Sequence, residues 1–391
     1  MSVSLFDTSA SKLIPLVIDS SRPNDDGSGT IFIMKSSDGI LANVIFKPTL
    51  NSKFSFANIN PENFEIILLD NPYFNAESDV FEVHESTVNN DKIGWIFPIS
   101  YIDSDETDEL SLKSTVDLYK ASSFINLLKY EGAGMKFPAI NSPQMDNVNY
   151  NISQFFGDNL IILAIHKETI NKIKGFKMSD YMLSLFKLGY SKYGEKSVIY
   201  NSNKKLLTEN LKKTKKITLS KSKFDISKNL FVETVFYNYL NYTDNSYLRF
   251  VFIYQVIELL MDFQKEMKFN EYLDKYKSGS IHGNDFREKL SEYSKERKVI
   301  GQVIASSLRK KTDYVDFLQL CNEYIIKNGG QIADDLSDSI YNLRNLLTHN
   351  FRRVAEKMEE LDTVVVGLEF IIVEMLIDYN FSDTNTWCYE I

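Results

Sequence analysis

The hydrophobic pattern changes period along the chain. Between residue 12 and about residue 101, short apolar, β-branched and aromatic runs at 13–18, 30–34, 40–46, 64–69 and 95–99 alternate with turn residues. Runs of that length predict strands, and Asp25-Asp26-Gly27-Ser28-Gly29 and Ser37-Asp38-Gly39 supply turn chemistry between them. The expectation for residues 1–102 is an antiparallel β-rich sandwich or barrel acting as a recognition or sensor domain. Residues 103–224 read as a mixed α/β region. It opens on the acidic stretch 103–109, continues into a helix over about 115–130, and is broken at Ser142-Pro143. A buried strand at 160–165 and a helix at 178–188 follow.

From residue 225 to 391 the period is helical with short connections. Helices are expected at 230–240, 247–268, 285–308, 315–327, 332–350 and 354–378, with Gly329-Gly330 ending one of them. This predicts an all-α bundle, so the fold class is α+β multidomain. The two most apolar stretches, 247–263 and 364–377, carry Arg249 and Glu258, and Glu369 and Glu374, respectively. They read as buried helices and not as membrane spans.

Composition adds limits to this picture. A chain of 391 residues with 43% hydrophobic and 25% charged residues is an ordinary globular protein of two or three domains. Its net charge of -9 excludes a surface coated in positive potential, so any nucleic-acid contact has to be local. The one basic concentration lies at 204–228, where nine lysines face only Glu209 and Asp225. It reads either as a solvated surface or as a phosphate-tracking arm built on Lys212, Lys213, Lys215 and Lys216. Two cysteines, Cys321 and Cys388, support neither a disulfide framework nor a cysteine zinc site, and suit a reducing cytoplasm. The first residues lack the pattern of a secretory signal. No two of His84, His166, His282 and His349 stand at a metal-ligand spacing, so neither metal nor cofactor is expected.

His349 stands apart through the helix that carries it. Leu336, Ile340, Leu343 and Leu347 recur at helical spacing and define a core face. Tyr341, Asn345 and His349 follow one another at i, i+4 and i+8 on another face. Arg344 lies five residues before His349, roughly 140° away on an ideal helix. The two meet only if the long arginine side chain reaches round or the helix ends near His349, as Phe351-Arg352-Arg353 suggests. On a structural reading, Arg344 pairs with Asp334, Asp335 or Asp338, and His349 complements a helix C-terminus.

The string Arg344-Asn345-Leu346-Leu347-Thr348-His349 resembles the R-N-x-x-x-H signature of the HEPN superfamily. The helix at 249–260, with Tyr254 and Glu258 one turn apart, is similar to the first long helix of HEPN-containing abortive-infection proteins. The resemblance covers residues 230–379 and none of the N-terminal half. It implies a metal-independent endoribonuclease of bacterial antiphage defence, working as a toxin-like effector. Arg344, Asn345 and His349 would be catalytic, and Tyr341, Glu258 and Tyr254 supporting. It further implies a homodimer in which two motifs face one RNA cleft, and the last helix, apolar almost all round over 364–377, is expected to supply part of the contact. Arg352 and Arg353 are candidate RNA contacts, and a phage-derived or nucleotide activator is expected, with no membrane partner.

The residue chemistry agrees with that expectation. RNA carries its own nucleophile in the 2'-hydroxyl, an imidazole moves protons near neutral pH, and a guanidinium holds phosphate bidentately. Against it stands the charge of residues 229–391, where 18 basic residues face 26 acidic ones. The competing expectation is a non-catalytic HEPN-like protein in which the helical domain dimerises and the β-rich domain binds a ligand or protein.

Overall fold

A computed structural model describes residues 3–7, 11–23, 30–36, 41–42, 44–46, 59–74, 76–86, 91–104, 113–130, 135–136, 139–140, 148–194, 198–199, 211–307, 314–354 and 358–378. The turn segments at 25–29 and 37–39, the break at Ser142-Pro143, Lys204, Lys205 and Cys388 lie outside the described residues. Contacts divide the chain into two units. The first comprises Met1–Phe176, Gly189–Tyr200 and Lys205–Leu219, and the second Lys177–Leu188, Asn201–Lys204 and Ser220–Ile391. The chain is thus β-rich in its N-terminal part and helical in its C-terminal part.

Among the described residues three sheets build the first unit. The five-stranded one runs β4 (Leu41–Ala42), β3 (Thr30–Ser36), β2 (Lys12–Pro23), β1 (Val3–Asp7) and β9 (Ala139–Ile140), and β5 (Val44–Phe46) pairs with β10 (Val148–Tyr150). The six-stranded sheet runs β12 (Ser191–Lys192), β6 (Phe64–Asp70), β11 (Leu160–His166), β8 (Lys92–Pro98), β7 (Phe81–Glu85) and β13 (Lys216–Leu219). Its centre is β11, whose continuous apolar run Leu-Ile-Ile-Leu-Ala-Ile is buried throughout, as a strand covered on both faces should be. At Gly94 a side chain would collide with the Ala164 carbonyl, which explains the glycine in β8 beside β11.

Within residues 1–102 the described strand pairs run antiparallel as expected, and three parallel pairings are added to them, β1 with β9, β5 with β10 and β7 with β13. Strands contributed from beyond residue 102 create them. Among the described residues the helices of this unit are α1 (Ser100–Asp103), α2 (Lys113–Leu127), α3 (Lys167–Asn171) and a helical turn at 211–214. Phe124, Leu127 and Leu128, at and just beyond the end of α2, pack with Phe97, Ile162 and Phe155 in its core.

Asp70 ends β6 almost fully buried, at 2% exposure, and burial pushes its carboxyl up to about 6 against the hydrogen bond it accepts from the Val198 amide. A folded pKa above the ordinary value means the native state holds the proton more tightly. Stability from this group is therefore present at low pH and lost as pH rises through about 6. Asp70→Asn is expected to stabilise the first unit by about 2–3 kcal/mol at pH 8 and by almost nothing at pH 4. Urea unfolding followed through Trp95 fluorescence checks this, and an equal effect at both pH values would contradict it.

The second unit contains α4 (Met182–Lys187), α5 (Leu230–Thr234), α6 (Ser246–Lys277), α7 (Gly283–Tyr293), α8 (Glu296–Ser307), α9 (Val315–Lys327), α10 (Leu336–His349), α11 (Phe351–Val354) and α12 (Met358–Asp378). A π-helical turn, Val235–Tyr239, continues α5, with the Leu240 amide donating to the Val235 carbonyl. At the end of α9, Gly329 takes φ +76, and the Gly330 and Gly329 amides donate to the carbonyls of Ile325 and Ile326. That is the glycine-terminated helix end that Gly329-Gly330 predicts.

Two features depart from the periodicity. The helix expected over 285–308 is broken between Tyr293 and Glu296, producing α7 and α8. The last helix is buried within its own unit: Val364, Val365, Leu368, Ile372, Val373 and Leu376 are all completely covered, packed with α6, α8 and α9. The apolar circumference that suggested a dimer contact belongs to the bundle core instead.

The charges that interrupt the two most apolar helices have an internal explanation. Arg249 of α6 is 4% exposed and Glu369 of α12 is 1% exposed, and the guanidinium donates to that carboxylate. Arg249 also donates to the carbonyls of Leu240 and Thr243, satisfying backbone oxygens where the α5 segment turns into α6.

Candidate active site

Three helices converge on the motif. In α10, Asp335 caps the N-terminus by accepting from the Asp338 amide, and Leu336, Ile340, Leu343 and Leu347 face the core. The helix runs regularly to His349 and ends there, since Asn350 leaves helical geometry. Arg344 therefore closes the roughly 140° separation with its own length. Its Nη1 lies 3.1 Å from His349 Nε2 and donates to Asn345 Oδ1, also at 3.1 Å. Because a guanidinium only donates, the contact to His349 is a hydrogen bond when Nε2 carries a lone pair, which is the neutral imidazole with its proton on Nδ1. Thr348 turns inward on the helix and donates to the Arg344 carbonyl at 2.7 Å.

The other edge of Arg344 faces Glu296, in the first turn of α8, with Nε 3.8 Å from Glu296 Oε1. The same carboxylate oxygen accepts from Tyr254 of α6 at 2.5 Å. Burial, then the hydrogen bond and charge of Glu296, push the Tyr254 phenol well above its ordinary value, so it remains a donor at neutral pH. Glu258, one turn further along α6 and still reaching solvent, is raised by partial burial and then by the charge of Glu296, against the opposing charge of Arg344. Tyr254, Glu258, Glu296, Arg344, Asn345 and His349 thus form one connected cluster, with an imidazole at its solvent side and a guanidinium behind it.

A carboxyl whose pKa is raised binds its proton more tightly in the folded state than in the unfolded chain. Its contribution to stability is present below the ordinary value of 4.5 and is lost as pH rises through the folded value. Glu258→Gln is accordingly expected to raise the melting temperature modestly at pH 7 and to leave it unchanged at pH 4. Calorimetry at the two pH values decides this, and a loss of stability at pH 7 would contradict it.

Tyr341 keeps the helix face predicted for it but does not join the cluster through a hydrogen bond given by the structure. It is partly buried against the bundle core and covered by the Arg297 guanidinium, 4.6 Å from its ring centre. Two of the alternative partners for Arg344 are otherwise engaged, Asp335 at the α10 cap and Asp338 3.7 Å from Arg297. Arg352 is exposed in α11, and Arg353 lies in the same helix.

Lys212, Lys213, Lys215 and Lys216 belong to the first unit, whereas the cluster belongs to the second. Lys212 pairs with the buried Asp79 at 3.3 Å, Lys215 donates to the Ser78 carbonyl, and Lys216 opens β13 opposite Glu82. Lys213 is exposed. Further along the run, Lys221, Lys223 and Lys228 pair with Asp180, Asp378 and Asp225, so much of the local positive charge is balanced internally.

Glu296, a member of the cluster, and Arg297 beside it are not found by periodicity. Both reach the site because the helix expected over 285–308 breaks at Ser294-Lys295 and α8 starts anew. The signal in the sequence is Ser294 itself, a weak helix former whose hydroxyl donates to the Ser291 carbonyl at 2.6 Å.

Among the described residues no group of three or more His, Cys, Asp and Glu is placed to hold a metal ion, and no helix is long and apolar enough to cross a membrane. Compared with family models, with curated proteins and with solved structures, the chain finds no match.

Proposed function

We propose that this chain is a metal-independent endoribonuclease of the HEPN type and an effector of bacterial antiphage defence. The observation that carries the reading is the 3.1 Å contact between Arg344 and a solvent-facing His349 at a helix end, inside a string that resembles the HEPN signature.

In this mechanism Arg344 binds the scissile phosphate through its fork of N–H groups and stabilises the negative charge that builds on the phosphorane oxygens. His349, neutral at Nε2, takes the proton from the 2'-hydroxyl. The 2'-oxygen then bonds to phosphorus, the bond to the 5'-oxygen breaks, and a proton delivered to that oxygen completes the step. One histidine per chain supplies the base, so a second protomer related by two-fold symmetry supplies the acid from its own motif. Asn345 holds the Arg344 fork, and Glu296, anchored by Tyr254, fixes its other edge. The products are a 2',3'-cyclic phosphate and a 5'-hydroxyl.

The direct test expresses the wild type, Arg344→Ala and His349→Ala in bacteria with and without phage, and assays the purified proteins on total RNA in EDTA. The expected result is growth arrest and metal-independent cleavage by the wild type alone. Equal toxicity of all three proteins, or no wild-type cleavage under any of these conditions, would overturn the reading in favour of a non-catalytic binding protein.

A further inference from the structure

α6 continues past the bundle core. Among the described residues, no position of α6 beyond Gln264 is buried, and α7, which folds back along it, has no buried residue. Rings hold the two helices together: Phe269 lies 6.2 Å from Phe286, Tyr276 stacks on Phe286 at 5.4 Å, and Tyr272 lies 5.7 Å from Tyr293. Phe286, Leu290 and Tyr293 recur along α7 at i, i+4 and i+7, an apolar face that α6 covers only in part. Between the helices runs a groove of about 450 Å³, with Leu290 and Tyr293 on one side and Asp262, Lys265, Glu266 and Phe269 on the other. Phe269 keeps 43% of its surface exposed.

The α6 wall of this groove is acidic. Glu258, Asp262 and Glu266 follow one another at i, i+4 and i+8 on one face of the helix. Lys265 answers Asp262 at 3.0 Å, whereas among the described residues Glu258 and Glu266 form no salt bridge. The row starts inside the reacting cluster, since Glu258, partly buried there, also feels the charges of Glu296, Arg344, Asp262 and Lys265. Whatever lies over the row therefore acts on the potential at Arg344. Left uncovered, these carboxylates repel the phosphates that Arg344 has to meet.

Charge and shape select the occupant. Three carboxylates against one lysine disfavour an RNA strand, an anionic membrane or a second copy of the same face, and favour a partner that carries cations. The groove is open to solvent, so a small molecule would leave much of its own surface in water. A helix fits it: apolar residues at i, i+3, i+4 and i+7 meet Phe269, Leu290 and Tyr293, and lysines or arginines beside them reach the acidic row. From Glu258 to Phe269 α6 rises ~16 Å, about three turns of such a helix.

We infer that the α6–α7 groove seats a basic amphipathic helix of a protein partner. Resting on the ribonuclease reading, the cations of that helix neutralise Glu258, Asp262 and Glu266 and so raise RNA cleavage.

The probes are two labelled synthetic helices of about 18 residues, or five turns, with the same leucine positions, one flanked by lysines and the other by glutamates. Binding to the full chain is followed by fluorescence anisotropy without RNA. The lysine helix is expected to bind roughly tenfold more tightly than the glutamate helix, or better. Leu290→Ala is expected to weaken its binding roughly 5- to 30-fold, and Glu266→Gln, which keeps the shape of the wall, roughly 2- to 5-fold. Equal affinity for the two helices, or wild-type affinity for the lysine helix in both variants, would overturn the inference.

Cleavage of a defined RNA in EDTA is then measured with and without saturating lysine helix. A rise of roughly 3- to 30-fold is expected in the wild type, shrinking in both variants. No rise in the wild type, or an equal rise in the variants, which would place the helix on the RNA and not in the groove, overturns the inference. Wild-type cleavage without groove-dependent binding sinks this inference and leaves the ribonuclease reading standing. Groove-dependent binding without cleavage under any condition sinks the ribonuclease reading and leaves the docking site.

Discussion

His349→Ala is expected to slow RNA cleavage by roughly 10²- to 10⁴-fold, the range that a positioned proton-transfer group supplies. The folded state should be untouched, because the imidazole is exposed at the last position of α10 and its hydrogen bond in the structure is to Arg344. Arg344→Ala is expected to fall at least as far, by removing the charge that meets the phosphorane and by leaving Glu258 and Glu296 facing the substrate unopposed. Arg344→Lys should not rescue activity. An ammonium keeps the charge but cannot reach Asn345, His349 and Glu296 from one rigid fork. Single-turnover rates on a defined RNA separate these variants, and Arg344→Lys cleaving at the wild-type rate would mean that the fork geometry is irrelevant.

The largest stability effects are expected at Arg249 and Glu369. Each is nearly solvent-free, so removing either leaves the other buried without its counter-charge, at a cost of about 3–5 kcal/mol. Arg249→Ala carries the further loss of the donors serving the Leu240 and Thr243 carbonyls. The double replacement Arg249→Met with Glu369→Leu is expected to recover most of the loss, because no unpaired charge remains in the core. Denaturant unfolding followed by helical circular dichroism measures all four proteins. Single variants within about 1 kcal/mol of wild type would show that solvent reaches the pair. The link to function runs through α6, since the helix that Arg249 pins to α12 also carries Tyr254 and Glu258 into the site.

Several of these features are legible along the chain because they are local. The helix stop at His349, the glycine-terminated end at Gly329 and the fully apolar β11 each follow from a few neighbouring residues. So does the face shared by Asn345 and His349. The rest depends on partners distant in sequence. The segment 216–219 reads only as part of a basic surface run, and its parallel pairing as β13 with β7 depends on where the chain returns. Arg249 and Glu369, read separately, only argue against membrane spans; they stand 120 positions apart, and their pairing is invisible without the bundle. The apolar circumference of α12 fits a dimer contact and a central bundle helix equally well, and the packing of α6, α8 and α9 around it decides for the latter. Glu296 escapes notice because hydrophobic periodicity runs on through the break before it, and its role exists only where α8 meets Tyr254 and Arg344.

The central claim is that Arg344 and His349 cleave RNA through its own 2'-hydroxyl. The most direct measurement is the end-group chemistry of RNA treated with the purified full chain in EDTA, beside His349→Ala. The account predicts 2',3'-cyclic phosphate and 5'-hydroxyl ends from the wild type and no cleavage products above background from the variant. Products ending in a 3'-hydroxyl and a 5'-phosphate, or cleavage that persists in His349→Ala, would contradict it.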